Sequence, residues 1–274
     1  MRRASCLLLS LLASPALAEL TVSSTADGFK AVLLDSLPTA PANGSVPGFC
    51  SLVLDDPVTP AGQTVQALGW QITAELPFGT LTAVSFAGRV TPATSGTCEL
   101  LDGNVGLFDG DRLVALIYGT SLDEPLIGQI RPFGSDALRI LSGDILPGSM
   151  ADIRLEGETL TVTAPAAEEP VCGGQAIIAR IEGLPIDEAR QNLVASGWSP
   201  VQGLSEDRSL GWARELAGMG LPELQECSGT GFGFCLFSYD HPAARLNVVT
   251  AGELGEDGSL PAVVRSWAEC RSEG

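Results

Sequence analysis

The 274-residue chain carries 33 acidic and 15 basic residues, a net charge of −18. Such a field repels nucleic acid and anionic lipid and leaves basic partners or divalent cations open. Seven cysteines include no Cys-x-x-Cys pair and stand beside a single histidine, His241, which argues against a zinc site.

Residues 1–18 read as a secretory leader. Met1-Arg2-Arg3 is basic, Ala4 to Pro15 is almost wholly apolar, and Ala16-Leu17-Ala18 is a small-x-small cleavage site before Glu19. The apolar run is too short for a membrane anchor, and no later stretch has the long charge-free run of a transmembrane helix. Processing after Ala18 leaves 13 basic residues against 33 acidic, a net charge of −20. Arginine far outnumbers lysine, of which Lys30 is the only one, and Ala and Gly are abundant. That composition suggests a GC-rich bacterial genome, and with the leader it places the expected compartment in the periplasm, where disulfides form.

From Glu19 to about residue 165 the pattern is all-β. Trp70 to Leu76 alternates apolar and polar residues with a period of two, and Leu113 to Tyr118 is a continuous apolar run suited to a central strand. Further strands are expected at Phe29–Leu34, Cys50–Leu54, Leu81–Phe86, Ile127–Arg131, Leu138–Leu141, Ile153–Leu155 and Leu160–Thr163. Turn signals at Asp27-Gly28, Pro77-Phe78-Gly79, Asp102-Gly103, Asp109-Gly110 and Glu156-Gly157 separate them. Many short strands at this spacing predict a sandwich or small barrel, with no helix in this half.

Ala164 to Pro170 is short, acidic and Pro-bounded, and residues 166–170 read as a linker. Residues 171–274 change character and predict an α+β domain with helices on an antiparallel sheet. Pro185 suits a first helical turn, Asp187 and Glu188 favour the positive end of its dipole, and Gly197 can end it. Ile186, Ala189, Leu193 and Val194 form its apolar stripe. A second helix is expected over Ser209–Ala217, followed by strands at Leu224–Ser228, Phe232–Tyr239, Arg245–Thr250 and Ala262–Trp267. The spacing of Gly183, Ala189, Leu193 and Gly197, with Trp198 to Val201 after it, is similar to the opening of PASTA modules. That resemblance covers residues 183–201 and implies one helix on a short sheet and an association with cell-wall precursors. The second helix and the extra cysteines depart from that pattern.

Six cysteines remain beyond the leader, two before the linker and four after it. Sequence alone leaves fifteen connectivities for three bridges. Even counts on each side favour Cys50–Cys98, Cys227–Cys235 across a Gly-rich hairpin, and Cys172–Cys270 tying the ends of the second domain.

Catalytic signatures are lacking. His241 sits in a Tyr-Asp-His-Pro turn, without the rest of a triad. There is no Gly-x-Ser-x-Gly elbow, no Ser-x-x-Lys, and no phosphate or dinucleotide fingerprint, so no cofactor is implied. Two constellations stand out. Ser228-Gly229-Thr230-Gly231 is a candidate ligand-binding nest, since backbone N–H groups of Gly-rich turns can hold an anion. Asp102, Asn104, Asp109 and Asp111 are candidate calcium ligands if their loops converge. Trp70 and Trp198 read as core; Trp212 and Trp267 are left unassigned. The expected role is therefore non-catalytic, a binding or interaction function in the envelope toward another envelope protein or a cell-wall component. The alternatives are a carboxylate-based hydrolase of envelope polysaccharide and an inhibitor or partner of another exported protein.

Overall fold

A computed structural model describes residues 20–42, 46–121, 124, 126–203, 212–228, 231–255 and 257–271. The expected leader and its expected cleavage site lie outside the described residues. The fold is β-rich, built from several sheets, mostly antiparallel, and few helices.

One five-stranded sheet contains β2 (Phe29–Leu33), β3 (Gln71–Phe78), β4 (Leu81–Ala87), β7 (Asn104–Asp109) and β8 (Arg112–Gly119), in the order β2-β8-β7-β4-β3. Its hairpins close where the turn signals stand: Gly79 follows β3 with φ 62°, and Gly110 joins β7 to β8 with φ 65°. A side chain tolerates that left-handed backbone poorly, which is why glycine occupies both turns. The sheet is buried on both faces. Ala83, Leu107 and Ile117 enter one core, while Val84, Phe86 and Phe108 enter another with Trp70 and Leu113. Burial on both sides explains the unbroken apolar run of β8.

A second five-stranded sheet has the order β1-β12-β11-β10-β9, from β1 (Thr21–Ser24), β9 (Gln129–Phe133), β10 (Ala137–Leu141), β11 (Ser149–Glu156) and β12 (Thr159–Thr163). Ile130, Leu138, Ile140, Ile153 and Val162 point into the same core as Ala83 and Leu107, so the two sheets share one interior. β1 pairs with β12 in parallel, Thr21 opposite Thr159. β5 (Arg89–Pro92) and β6 (Cys98–Leu101) form a separate hairpin.

Two expectations for this half fail. Cys50–Leu54 is no strand: Gly48–Val53 is a 3₁₀ turn whose only buried residue is Cys50, held by its disulfide to Cys98. Leu52 is 89% exposed, so the apolar run there does not face a core. A helix does occur in this half, α1 (Pro60–Ala67). Thr59 caps it by accepting from the Gly62 N–H, and Pro60 takes the first turn. The Glu75 carboxylate, on β3, accepts the N–H of Val58 at 2.8 Å and of Thr59 at 3.0 Å, and bonds the Thr59 hydroxyl. The helix is thus anchored by a residue far along the chain.

The segment read as a linker carries structure. Glu168–Val171 is a strand, β13, paired with β14 (Ala176–Ala179). The hairpin lies over the outer face of the second sheet through a charged layer. Arg131 and Arg139 sit directly opposite each other on β9 and β10, and Asp152 on β11 faces Arg139. Two opposed guanidinium groups repel unless anions intervene. Glu169 grips Arg131 through two bonds of 2.6 and 2.7 Å and lies 3.4 Å from Arg139. Asp152 takes Arg139 at 2.7 and 3.0 Å and accepts the Ala166 N–H.

The remaining elements are α2 (Ile186–Ala195), β15 (Ser199–Pro200), α3 (Trp212–Gly218), β16 (Leu224–Cys227), β17 (Cys235–His241), β18 (Ala244–Ala251) and β19 (Ala262–Cys270). The sheet order is β15-β17-β18-β19, with β16 sharing one edge of β17. Ile186, Ala189 and Leu193 of α2 and Leu216 of α3 pack onto Phe237, Tyr239, Leu246 and Val248. Val194, expected in the stripe, is half exposed. Gly197 takes φ 89° after α2, and Trp198 is buried with its indole N–H on the Ile177 carbonyl. Part of the second expected helix, residues 209–211, lies outside the described residues. Disulfides join Cys50 to Cys98, Cys172 to Cys270 and Cys227 to Cys235, the pairs the spacing favours.

Candidate functional site

The fold leaves a cleft of about 1070 Å³ between β19 and the layer formed by β9, the loop after β10 and the β13–β14 hairpin. That is just above the usual ligand-pocket range of about 300–1,000 Å³. One wall presents Gln129 and Arg131, with Ile145, Leu146 and Pro147 of the loop. The other presents Val264 to Ala268, joined by Phe234 and Val249. The Cys172–Cys270 bridge ties the hairpin to the end of β19 and fixes one end of the cleft.

Charge within the cleft is balanced. Arg131 and Arg265 line it together with Glu169 and Glu182. Burial disfavours the charged form of Arg131, but the hydrogen bonds and negative charge of Glu169, with help from Glu182 and Asp152, hold its guanidinium above its ordinary value. Glu169 is therefore committed to that arginine. Glu182 accepts the Ser149 N–H at 3.3 Å and makes no ion pair among the described residues. Trp267 is 37% exposed, with the Arg265 guanidinium 5.5 Å from its ring centroid and its indole N–H on Glu269. An exposed indole beside a cation gives the cleft one aromatic contact surface.

The constellations singled out in the sequence lie elsewhere. Gly229 and Thr230 are outside the described residues. Ser228 follows β16 and donates its N–H to the Phe234 carbonyl, and Gly231 takes φ 77°; neither lines the cleft. The four calcium candidates do not converge. Asp102 and Asn104 stand at the start of β7 and Asp109 and Asp111 at its end, about 17 Å apart at roughly 3.4 Å per strand residue. Asp102 is ion-paired to Arg89 and Asp109 to Arg112, and the Asn104 amide donates to the Asp102 carbonyl. No cluster of three metal-ligating His, Cys, Asp or Glu side chains occurs among the described residues. His241 ends β17, accepts the Ala243 N–H on Nδ1 and rests 5.2 Å from the Trp198 ring, which is a turn role.

No protein-family profile, curated protein or solved structure matches this chain. The likeness of residues 183–201 to PASTA openings rests on α2 and β15 alone. What the sequence reading missed is the set Arg131, Glu169, Glu182 and Arg265. By sequence Glu169 falls in the acidic, Pro-bounded stretch that reads as a linker. The one visible signal was Arg265-Ser266-Trp267, an arginine and an aromatic two apart on a strand, hence on one face.

A second buried polar group lies in the core under α2. The Tyr239 hydroxyl donates to Glu223 at 2.9 Å, and the Arg190 guanidinium lies 3.4 Å from the same carboxylate. Burial, with the Glu223 charge and hydrogen bond adding to it, pushes the Tyr239 hydroxyl far above its ordinary range. This cluster does not line the cleft and has the character of an internal strut.

Proposed function

We propose that this chain is an exported periplasmic protein with a non-catalytic binding role in the cell envelope, and that the cleft beside β19 is its binding site. The observation that carries the reading is the cleft itself, which joins a ligand-sized volume, an exposed indole and balanced charge. Three disulfides fit an oxidising compartment, and no helix among the described residues is long and apolar enough to cross a membrane. In this reading residues 19–165 form a β-sandwich, its two five-stranded sheets sharing one core, and residues 171–274 form an α+β unit with a core of its own. The hydrolase alternative needs two facing carboxylates. In the cleft Glu169 is held by arginines, which leaves Glu182 without an acidic counterpart.

A photo-crosslinking residue in place of Leu146, on the cleft wall, should capture an envelope component in intact cells. The same group in place of Asp111, on a distant hairpin, should not. Equal capture at both positions, or none at Leu146, defeats the reading.

A second reading, a dedicated partner of another exported protein, is favoured by a separate apolar surface. Leu52 is 89%, Val58 79% and Phe49 49% exposed around the 3₁₀ turn. A Leu52→Ser, Val58→Ser protein that loses a co-purifying exported protein while keeping the Leu146 adduct would favour it.

A further inference from the structure

We propose that the open edge of β19 binds an extended segment of another polypeptide by strand addition, with Ser266 and Ala268 supplying the main-chain bonds. This rests on the cleft being the binding site and names what it binds.

The parity of the ladder shows which backbone groups are free. Pro242 and Ala243 form a two-residue turn, so His241 and Ala244 close the β17–β18 hairpin and the polar groups of Ala244 point to β17. Directions alternate along a strand. Arg245, Asn247 and Val249 therefore point to β19, where they face Glu269, Trp267 and Arg265. Ser266 and Ala268 lie between those and direct N–H and C=O away from β18. Beyond a bulge at Val249/Thr250, Val263 confirms the parity on the same outer edge. It donates to the Leu184 carbonyl at 2.9 Å and accepts the Gly183 N–H at 2.8 Å. The chain's own residues thus begin a strand addition at Val263. From Ser266 onward that edge has no hydrogen-bond partner among the described residues.

Side chains report the same orientation. Arg265 and Trp267 belong to one face of β19 and Ser266 and Ala268 to the other, yet all four line the cleft. Both sets meet one cavity only when the strand's edge fronts it.

The occupant follows from what surrounds the edge. A second folded sheet approaching β19 would meet the loop at Ile145–Pro147, whereas a single extended segment passes between the walls. Such a segment needs few charges, because its main chain makes the bonds and alternate side chains fill the flanking pockets. The Arg265 guanidinium makes no ion pair among the described residues and lines the cleft beside Trp267, so the segment carries an acidic side chain there.

The test uses phage-displayed random linear dodecapeptides selected on the full disulfide-bonded protein. Proline is tolerated on an edge strand whose N–H faces outward, so Ser266→Pro with Ala268→Pro removes both outward donors and leaves the β18 ladder intact. The selected peptide should bind this variant about 10- to 50-fold more weakly, the loss expected for two main-chain bonds. Ser266→Ala should change binding less than about twofold, and Arg265→Ala should erase the preference for Asp or Glu in selected peptides. On the unmodified protein, peptide should slow amide exchange at Ser266 and Ala268 at least about tenfold, a readout that does not depend on the variant folding. Unchanged affinity in the proline variant, no slowing at the two amides, or no enrichment of any peptide over that variant overturns strand addition. If envelope glycan fragments block the Leu146 crosslink while peptides do not, the cleft stands as a binding site and strand addition falls. Loss of the Leu146 adduct altogether defeats the cleft itself.

Discussion

Replacing Arg139 by methionine should destabilise the protein by about 3–5 kcal/mol, the cost of breaking a buried ion pair from one side. Arg139 is 2% and Asp152 1% exposed, and they share bonds of 2.7 and 3.0 Å. Methionine keeps much of the aliphatic packing but leaves the Asp152 carboxylate buried without its cation. The contact of the guanidinium with the Phe133 ring, 3.9 Å from the centroid, is lost as well. Glu169 keeps Arg131, so the damage centres on Asp152. Asp152→Asn added to Arg139→Met removes the stranded charge and retains an acceptor for the Ala166 N–H. The double variant should therefore be more stable than Arg139→Met alone, with a coupling of about 2 kcal/mol or more between the sites. In thermal melts the single change should lower Tm by about 6–20 °C, at about 2–4 °C per kcal/mol for a chain of this size. A shift under about 2 °C, or additivity within about 0.5 kcal/mol, would refute the account of the charged layer.

Gly62→Ala would by propensity stabilise α1 by up to about 1 kcal/mol, but its methyl would fall on the Glu75 carboxylate that holds Val58 and Thr59, so the net effect should be a loss of about 1–2 kcal/mol. A raised Tm would count against it. Removing the Cys172–Cys270 bridge, which spans 98 residues, should cost up to about 4–5 kcal/mol in the chain-entropy description; an unchanged denaturation midpoint in the Cys172→Ser, Cys270→Ser protein would contradict it. For Tyr239, the raised folded-state value means the fold binds a proton that the unfolded chain releases near pH 10, so stability falls as pH rises beyond that point. Its phenolate absorbance should appear only together with alkaline unfolding, and Tyr239→Phe should flatten the pH dependence. Ionisation of Tyr239 near pH 10 in the intact fold would disprove the burial argument.

Elements specified by neighbours in the chain were the readable ones. The alternation of Trp70 to Leu76, the Asp109-Gly110 hairpin and the Pro185-to-Gly197 helix each carry local instructions that tertiary packing only has to accept. α1 carries weaker ones, since Gly62 and Thr64 lower its propensity and its firmest anchor is Glu75 on a later strand. The opposed pair Arg131 and Arg139 makes no sense in either strand alone and becomes intelligible once Glu169 folds over both. The cleft was invisible for the same reason. Which edge of β19 stays open depends on the order β15-β17-β18-β19 and on ladder parity, and composition reports neither. Counting cysteines on each side of residue 170 succeeded because it used a constraint independent of those long-range placements.

The parallel pairing of β1 with β12 also sets a timetable. Thr21 meets Thr159 across 138 residues of sequence, and β11, on the far side of β12, is itself made late. A chain delivered N-terminus first presents β1 well before its partner, because every residue between them arrives in turn. Through that interval β1 can form none of its ladder, so this half of the molecule cannot close in the order in which it is made. Docking of the first strand has to wait for β12, the last strand of its sheet in chain order, and any factor that shields an emerging chain has that window in which to hold it.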